Sequence, residues 1–242
     1  MFEVPFKESI IGRAGSRGVV RIEVHDLREY TRDRHRQADD RPYGGGPGMV
    51  MKPEPVFEAV EYITGRLPGQ PGKQRTRIIL MSPQGETFTQ GKAEELSGEE
   101  GLLFICGHYE GIDERVGEKL ATDEISIGDY ILTGGELAAM VVVDAIVRLL
   151  PGALGAKESA EQDSFSEKLL DYPHYTRPAS YREMKVPEVL LSGDHGKVER
   201  WRREEALRQT FLKRPDLIEE AELTEEERKF LGKLQGEIRD KK

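Results

Sequence analysis

Residues 102–140 read LLFICGHYEGIDERVGEKLATDEISIGDYILTGGELAAM. Three strand-like runs in this stretch each stop at glycine: Leu102 to Cys106 at Gly107, Glu124 to Ile127 at Gly128, and Tyr130 to Leu132 at Thr133-Gly134-Gly135. A strand that leads into glycine can turn sharply, or let a ligand approach the backbone with no Cβ in the way. Three such turns close together predict a pocket lined by backbone amides and carbonyls. The apolar run from about Glu136 to Leu150 predicts a long helix, stopped by Pro151-Gly152.

Working outward, Ile78 to Met81 reads as a strand buried on both faces, as in a parallel sheet, and it ends at Ser82-Pro83-Gln84-Gly85. Pro55 to Thr64 has helical spacing, with Val56, Val60 and Ile63 on one face, and residues 65–75 form a Gly/Pro-rich turn. Strands alternate with helices up to residue 150, which predicts an α/β domain with a mostly parallel sheet. Nearer the N-terminus, Gly12 to Gly18 reads as a glycine-punctuated loop. Val20, Ile22 and Val24 alternate with Arg21, Glu23 and His25, the pattern of a half-buried strand. The run Pro42 to Gly48, PYGGGPG, excludes both helix and strand.

Beyond the long helix, residues 153–168 lose apolar periodicity and read as an exposed, mobile linker. A smaller, mainly helical part follows. Glu199 to Leu212 is predicted helical, with Trp201 as a core anchor, and Pro215 breaks the chain. Thr224 to Glu227 has capping-box spacing, and Phe230, Leu231, Leu234 and Ile238 give the last helix its apolar face.

The chain has 242 residues, 33% of them charged, a net charge of −9 and a single cysteine, Cys106. This predicts a soluble cytoplasmic protein with no intrachain disulfide, no Cys-rich zinc site, no secretory signal and no membrane span. The negative charge is unevenly spread. Residues 86–136 hold thirteen acids and three bases, whereas residues 195–214 hold seven Lys/Arg against three Glu. Arg28, Arg32, Arg34, Arg36 and Arg41 cluster near the start, diluted by four acids. Basic patches of this kind let an acidic protein bind RNA. There is no G-x-G-x-x-G after a strand, no Walker A, no H-E-x-x-H and no G-x-S-x-G, and the five histidines are too scattered for a metal cluster. Read from the residues alone, the chain is an α/β domain with a glycine-lined pocket.

The strings themselves are more specific. CGHYEGIDER followed by SIGDYILTGGELA closely resembles the cofactor-binding core of the TrmD family, bacterial tRNA (guanine-N1)-methyltransferases of the SPOUT class. The resemblance continues through DRHRQADDRPYGGGPGM at 33–49 and SPQG at 82–85, then EQDSF, HYTRP, VPEVLLSGDH and RWR. It covers nearly the whole chain, in order. It implies a SPOUT-like α/β domain with a deep trefoil knot at residues 1–152, an interdomain linker at 153–172 and a helical tRNA-binding domain at 173–242. The family's opening strand would lie ahead of Met1.

The resemblance also implies S-adenosylmethionine as methyl donor, with Mg2+ left open, tRNA as partner and a homodimer whose sites draw on both subunits. By residue-to-residue match, Ser82, Pro83, Gly85, Gly107, Tyr109, Glu110, Ile127, Gly128, Asp129, Tyr130, Ile131, Leu132, Gly134 and Gly135 would line the cofactor site, largely through backbone groups. His108 stands where relatives often carry Arg. No metal ligand is implied. Arg41 and Asp39 would contact polar edges of a base under the glycine-rich loop.

Guanine N1 carries a proton and attacks poorly until it leaves, so the reaction needs a base near N1 and a cation near O6. The family's pair maps onto Asp163 in EQDSF and Arg148 in VRLLPG. Without the resemblance Asp163 would be one solvated acid in a linker, and Arg148 would complement the helix C-terminus and pair with Asp144. A SPOUT-type ribose 2′-O-methyltransferase, a non-catalytic RNA-binding module and an α/β domain with an unrelated ligand stay open as alternatives.

Overall fold

A computed structural model describes residues 1–65, 76–154, 164, 165 and 167–239. Two compact units divide at residues 155 and 156.

The first unit, Met1–Gly155, is built on a three-stranded parallel sheet. β3 (Thr76–Thr87) lies between β4 (Gly101–Cys106) and β5 (Asp123–Ser126). Ile78 and Ile79 are buried on opposite faces, as a doubly covered parallel sheet requires. On one face Ile79, Met81 and Ile125 pack with α4 (Gln90–Ser97) and α6 (Glu136–Leu149) through Ala93, Leu96, Ala138, Ala139, Val142 and Ile146. On the other, Ile78, Leu80 and Ile105 pack with α3 (Pro53–Thr64) and α5 (Glu114–Lys119). Each large side chain buried in this way contributes about 1.5–3 kcal/mol. α3 starts with Pro53 in its first turn and stops at Gly65 in the left-handed conformation, φ 61°.

One ion pair ties the sheet laterally. Arg77 Nε donates to Asp123 Oδ2 at 2.9 Å, and a second guanidinium nitrogen reaches Oδ1. Both side chains are largely buried, and the hydrogen bond from Arg77 holds the Asp123 carboxyl below its ordinary range. A carboxyl depressed in this way stabilises the fold fully above its unfolded pKa. That contribution is lost as pH falls through the lower, folded value. Asp123→Asn is expected to cost about 3 kcal/mol near neutral pH and to flatten the acid limb of the stability curve, measured by denaturant unfolding at several pH values.

Several expectations are corrected. Ser9–Ser16 is a helix, α2, where a loop over Gly12 to Gly18 was expected. Its Ile11 and Ala14 are buried against Val147, and a Cβ on Gly12 would collide with the Lys7 carbonyl, so glycine there serves close packing against α1 (Glu3–Lys7). Val20 to Val24 forms no strand. Val20 and Ile22 pack on α6, but Val24 faces out, so alternation reflected packing on a helix rather than a ladder. Ile63 is exposed, off the buried face of α3. Tyr130 to Leu132 is irregular, and no strand among the described residues pairs with it. Ala153, read as the exposed start of a linker, is 2% exposed and packs with Ile11 and Val147. The expected turn at 66–75 and the linker at 155–163 lie outside the described residues.

The described residues of the second unit form helices, an irregular segment over 167–179 and a hairpin of two-residue strands, β6 (Ser180–Tyr181) with β7 (Met184–Lys185). Its helices are α7 (Glu188–Leu191), α8 (His195–Lys213), α9 (Pro215–Glu220) and α10 (Glu225–Arg239). Leu169, from the segment read as linker, is buried with Leu207, Leu231 and Leu234. The capping box forms as expected: Thr224 N–H donates to Glu227 Oε2 at 2.7 Å, and Glu227 N–H to Thr224 Oγ1 at 3.3 Å. Trp201 is not in this core; it is half-buried and lines a surface pocket.

Candidate functional site

The glycine-lined turns all leave the C-terminal edge of the parallel sheet. Residues 82–85 follow the first paired part of β3, residues 107–111 follow β4, and residues 127–135 follow β5. In open parallel sheets ligands bind in the crevice outside the carboxyl ends of the strands.

The first turn is a bulge rather than the end of a strand. Met81 and Glu86 both pair with Ile125, so four residues loop out and β3 then resumes. Ser82 Oγ accepts from the Gln84 N–H at 3.1 Å and shapes the bulge, with Pro83 exposed at its tip. Gly85 lies against β5, where an added Cβ would land on the Glu124–Ile125 peptide.

The second turn is held from two sides. Gly135 N–H donates to the Gly107 carbonyl at 2.8 Å, and His108 bridges to Gly134. On the other side Glu110 N–H donates to the Met49 carbonyl at 3.1 Å, and Met51 N–H to the Gly111 carbonyl at 2.9 Å. Met49–Met51 follows the glycine-rich loop and pairs as β2 (Val50–Met51) with β1 (Asp39–Asp40). The loop is therefore anchored at both ends beside the turn. The Glu110 side chain fills the space a Cβ on Gly48 would need. Tyr109 adopts φ 60°, a left-handed conformation, with its ring edge-on to His108 at 4.8 Å. A bulky residue held there is strained unless its surroundings fix it.

The third turn surrounds Gly128, whose φ of 137° only glycine adopts readily. Ser126 Oγ accepts from the Gly128 N–H at 3.2 Å, Tyr130 N–H donates to the Gly128 carbonyl at 3.0 Å, and the Tyr130 hydroxyl donates to the Ile127 carbonyl at 3.3 Å. Ile127 and Leu132 tuck their side chains onto the core, leaving Asp129, Tyr130 and Ile131 outward. A Cβ on Gly135 would sit 3.0 Å from Cys106 Cα and 3.1 Å from Met81 Cβ, so the second and third turns touch only because Gly135 has none. Burial and the Glu136 carboxylate push the Cys106 thiol up to about 12. It is expected to react slowly with a thiol reagent in the native protein and quickly after unfolding.

Arg148 sits elsewhere. It is in the last turn of α6, whereas Gly135 caps the first. At 1.5 Å per residue the two ends of this helix are about 20 Å apart. One chain therefore does not bring Arg148 to the glycine turns. Helical spacing puts Leu137, Val141, Asp144 and Arg148 on one stripe, opposite the buried Ala138, Val142 and Ile146. Asp163 lies outside the described residues. Asp39 is half-buried in β1, and Arg41 starts the glycine-rich loop, its N–H held by Asp40 Oδ1 at 2.8 Å. The role of Met49–Met51 as a clamp on the second turn was missed, since two-residue strands leave no periodicity to read. No group of three His, Cys, Asp or Glu that could hold a metal ion, and no helix long and apolar enough to cross a membrane, occurs among the described residues.

On α8 the arginines divide. Arg203 bonds Glu227 at 2.5 Å and also Glu167, joining α10 and the preceding segment to α8. Arg208 bonds Glu205 at 3.2 Å and stacks on Phe230. Arg202 bonds Glu199 at 2.7 Å and stacks on Tyr172 at 5.0 Å, while Arg200 is exposed.

Residues 1–220 match the family model described as tRNA (Guanine-1)-methyltransferase TrmD. The chain is 58% identical over 232 residues to the tRNA (guanine-N(1)-)-methyltransferase of Bacillus licheniformis, covering 96% of this chain and 93% of the relative. It is 55% identical over 237 residues to that of Bacillus subtilis, covering 98% and 96%. It is 54% identical over 237 residues to that of Dehalococcoides mccartyi, covering 98% and 94%.

Proposed function

The chain belongs to the tRNA (guanine-1)-methyltransferase TrmD family, and from that premise we propose how its residues carry out the reaction. It is a SPOUT-class methyltransferase that modifies N1 of guanosine in tRNA, at position 37 beside the anticodon. The ribose-methylating alternative is not favoured.

The observation that carries the site assignment is the meeting of three turns at the carboxyl edge of the sheet, two of them in contact through Gly135. We place S-adenosylmethionine there, which when bound supplies an electrophilic methyl group. Backbone groups of residues 127–135 would hold its adenine and ribose, and Leu132 N–H has no hydrogen-bond partner among the described residues. Gly107, Tyr109 and Glu110 would border it on the β4 side, and residues 82–85 on the β3 side. The deep trefoil knot of the SPOUT class belongs to this reading. So does an accessory Mg2+, tested by titrating the metal into the assay.

Asp163 would accept the N1 proton and Arg148 would stabilise the charge moving onto O6, leaving N1 with a lone pair for the sulfonium methyl, whose carbon–sulfur bond would break to release the thioether. The distance between Arg148 and the glycine turns within one chain supports a homodimer in which one protomer's Arg148 meets its partner's cofactor turn. The apolar surface supports it too: Leu137 and Val141 on the Arg148 stripe are 46% and 51% exposed, and Ile131 is 80% exposed. Sedimentation is expected to give a dimer, and an active monomer would refute the shared site. The second unit is proposed as the tRNA-binding domain, in the cytoplasm. Arg200→Ala is expected to weaken tRNA binding and reduce its salt slope by about one. Arg203→Ala is expected mainly to lower the melting temperature, because its guanidinium is spent on Glu227 and Glu167.

The deciding experiment is mass spectrometry of a tRNA transcript with guanosine at position 37, incubated with the protein and labelled S-adenosylmethionine. One labelled methyl on N1 is expected. Label on a ribose, or none, would overturn the reading.

A further inference from the structure

The second unit carries a pocket that the methyl-transfer chemistry does not use. It has a volume of about 200 Å3 and is lined by Tyr172, His174, Tyr175, Leu190, Trp201 and Arg202, among others. Val198 and Trp201 sit one turn apart on α8 and form one wall. The segment 172–175 forms the other, with Tyr175 tilted against Trp201 at 6.3 Å between ring centres. Tyr172 contacts both the His174 ring, at 4.7 Å, and the Arg202 guanidinium, at 5.0 Å. His174 is itself fixed by a 2.9 Å bond between its Nε2 and Asp171 Oδ2.

Resting on the assignment of tRNA as substrate, we propose that this pocket receives one unpaired nucleobase of the tRNA, stacked on Trp201. Aromatic side chains left half-open beside a cation are what a base face requires, and a phosphate alone would not need them. Arg200, exposed on α8 next to Trp201, supplies a cation for the RNA backbone beside the pocket. Arg202 lines the same pocket, so its guanidinium places a positive charge beside the aromatic rings. Trp201 belongs neither to the core of this unit nor to open surface, the position of a side chain kept for a ligand.

Trp201 is the chain's single tryptophan, so its emission reports on this pocket alone. Titrating the full-length protein with tRNA transcript is expected to quench that emission in parallel with binding followed by anisotropy of labelled tRNA. A fully paired RNA duplex, which offers phosphates but no unpaired base, is expected to leave the emission unchanged. Tyr175→Ala, at a half-exposed ring, is expected to raise the Kd for tRNA roughly ten-fold, the ordinary scale for one stacked base, with unchanged circular dichroism. The proposal is overturned if tRNA binds to saturation without altering Trp201 emission, or if the duplex quenches equally. Quenching without methylation of guanosine would refute the enzymatic reading and leave the base pocket standing. Methylation with a silent Trp201 would do the reverse.

Discussion

Asp163→Asn is expected to slow single-turnover methylation of tRNA by two or more orders of magnitude, the usual scale for a positioned general base. The substitution keeps the size and hydrogen-bonding shape of the side chain and removes its basicity. Affinity for S-adenosylmethionine is expected to stay near wild type, because the proposed cofactor contacts come from turns of the first unit. Arg148→Ala is expected to slow the same step. The shared site adds a stricter test. Arg148 lies about 20 Å along α6 from Gly135, so a protomer lacking Asp163 and Arg148 function and a protomer lacking a working cofactor turn are deficient in different halves of each site. Mixed dimers of the two are expected to recover part of the activity that neither homodimer has. A wild-type single-turnover rate for Asp163→Asn would remove it as the base and make Asp39, half-buried beside the glycine-rich loop, the next carboxylate to test.

The second large effect is expected at Gly85. An alanine Cβ there would overlap the backbone of Glu124 and Ile125, not the movable end of a side chain. Relief requires shifting the 82–85 bulge away from β5, which breaks the renewed pairing of Glu86 with Ile125 and Thr87 with Ser126. A loss of roughly 3 kcal/mol or more is expected. That corresponds to a fall in Tm of about 6–12 °C, together with loss of cofactor binding by calorimetry. An unchanged Tm would show that the bulge is not held against β5 as described.

Much of the first unit was legible in order along the chain. Ile78 to Met81 and Leu102 to Cys106 are continuous apolar runs because both faces of a parallel strand are covered. The capping box at Thr224 and the apolar stripe of α10 depend only on local spacing. The errors share one cause. Residues 9–16, 20–24 and 130–132 are short segments whose conformation depends on a partner distant in sequence: Val147 for α2, α6 for Val20 and Ile22, and, for Tyr130 to Leu132, a pairing strand that none of the described residues supplies. Trp201 was read as a core anchor because a half-buried ring and a buried one look alike in a helical repeat.

The residues by themselves determined the α/β alternation, the end of β4 at Gly107 and the charge split between acidic and basic stretches. Matched strings, rather than periodicity, pointed to the enzyme family. Only the tertiary structure decided that Met49–Met51 clamps the turn after β4 and that Gly135 lets two turns touch. The reason is physical. Periodicity encodes which face of an element is buried, a property of neighbouring residues, whereas a site is a set of distances between residues far apart in the chain, and only packing sets those.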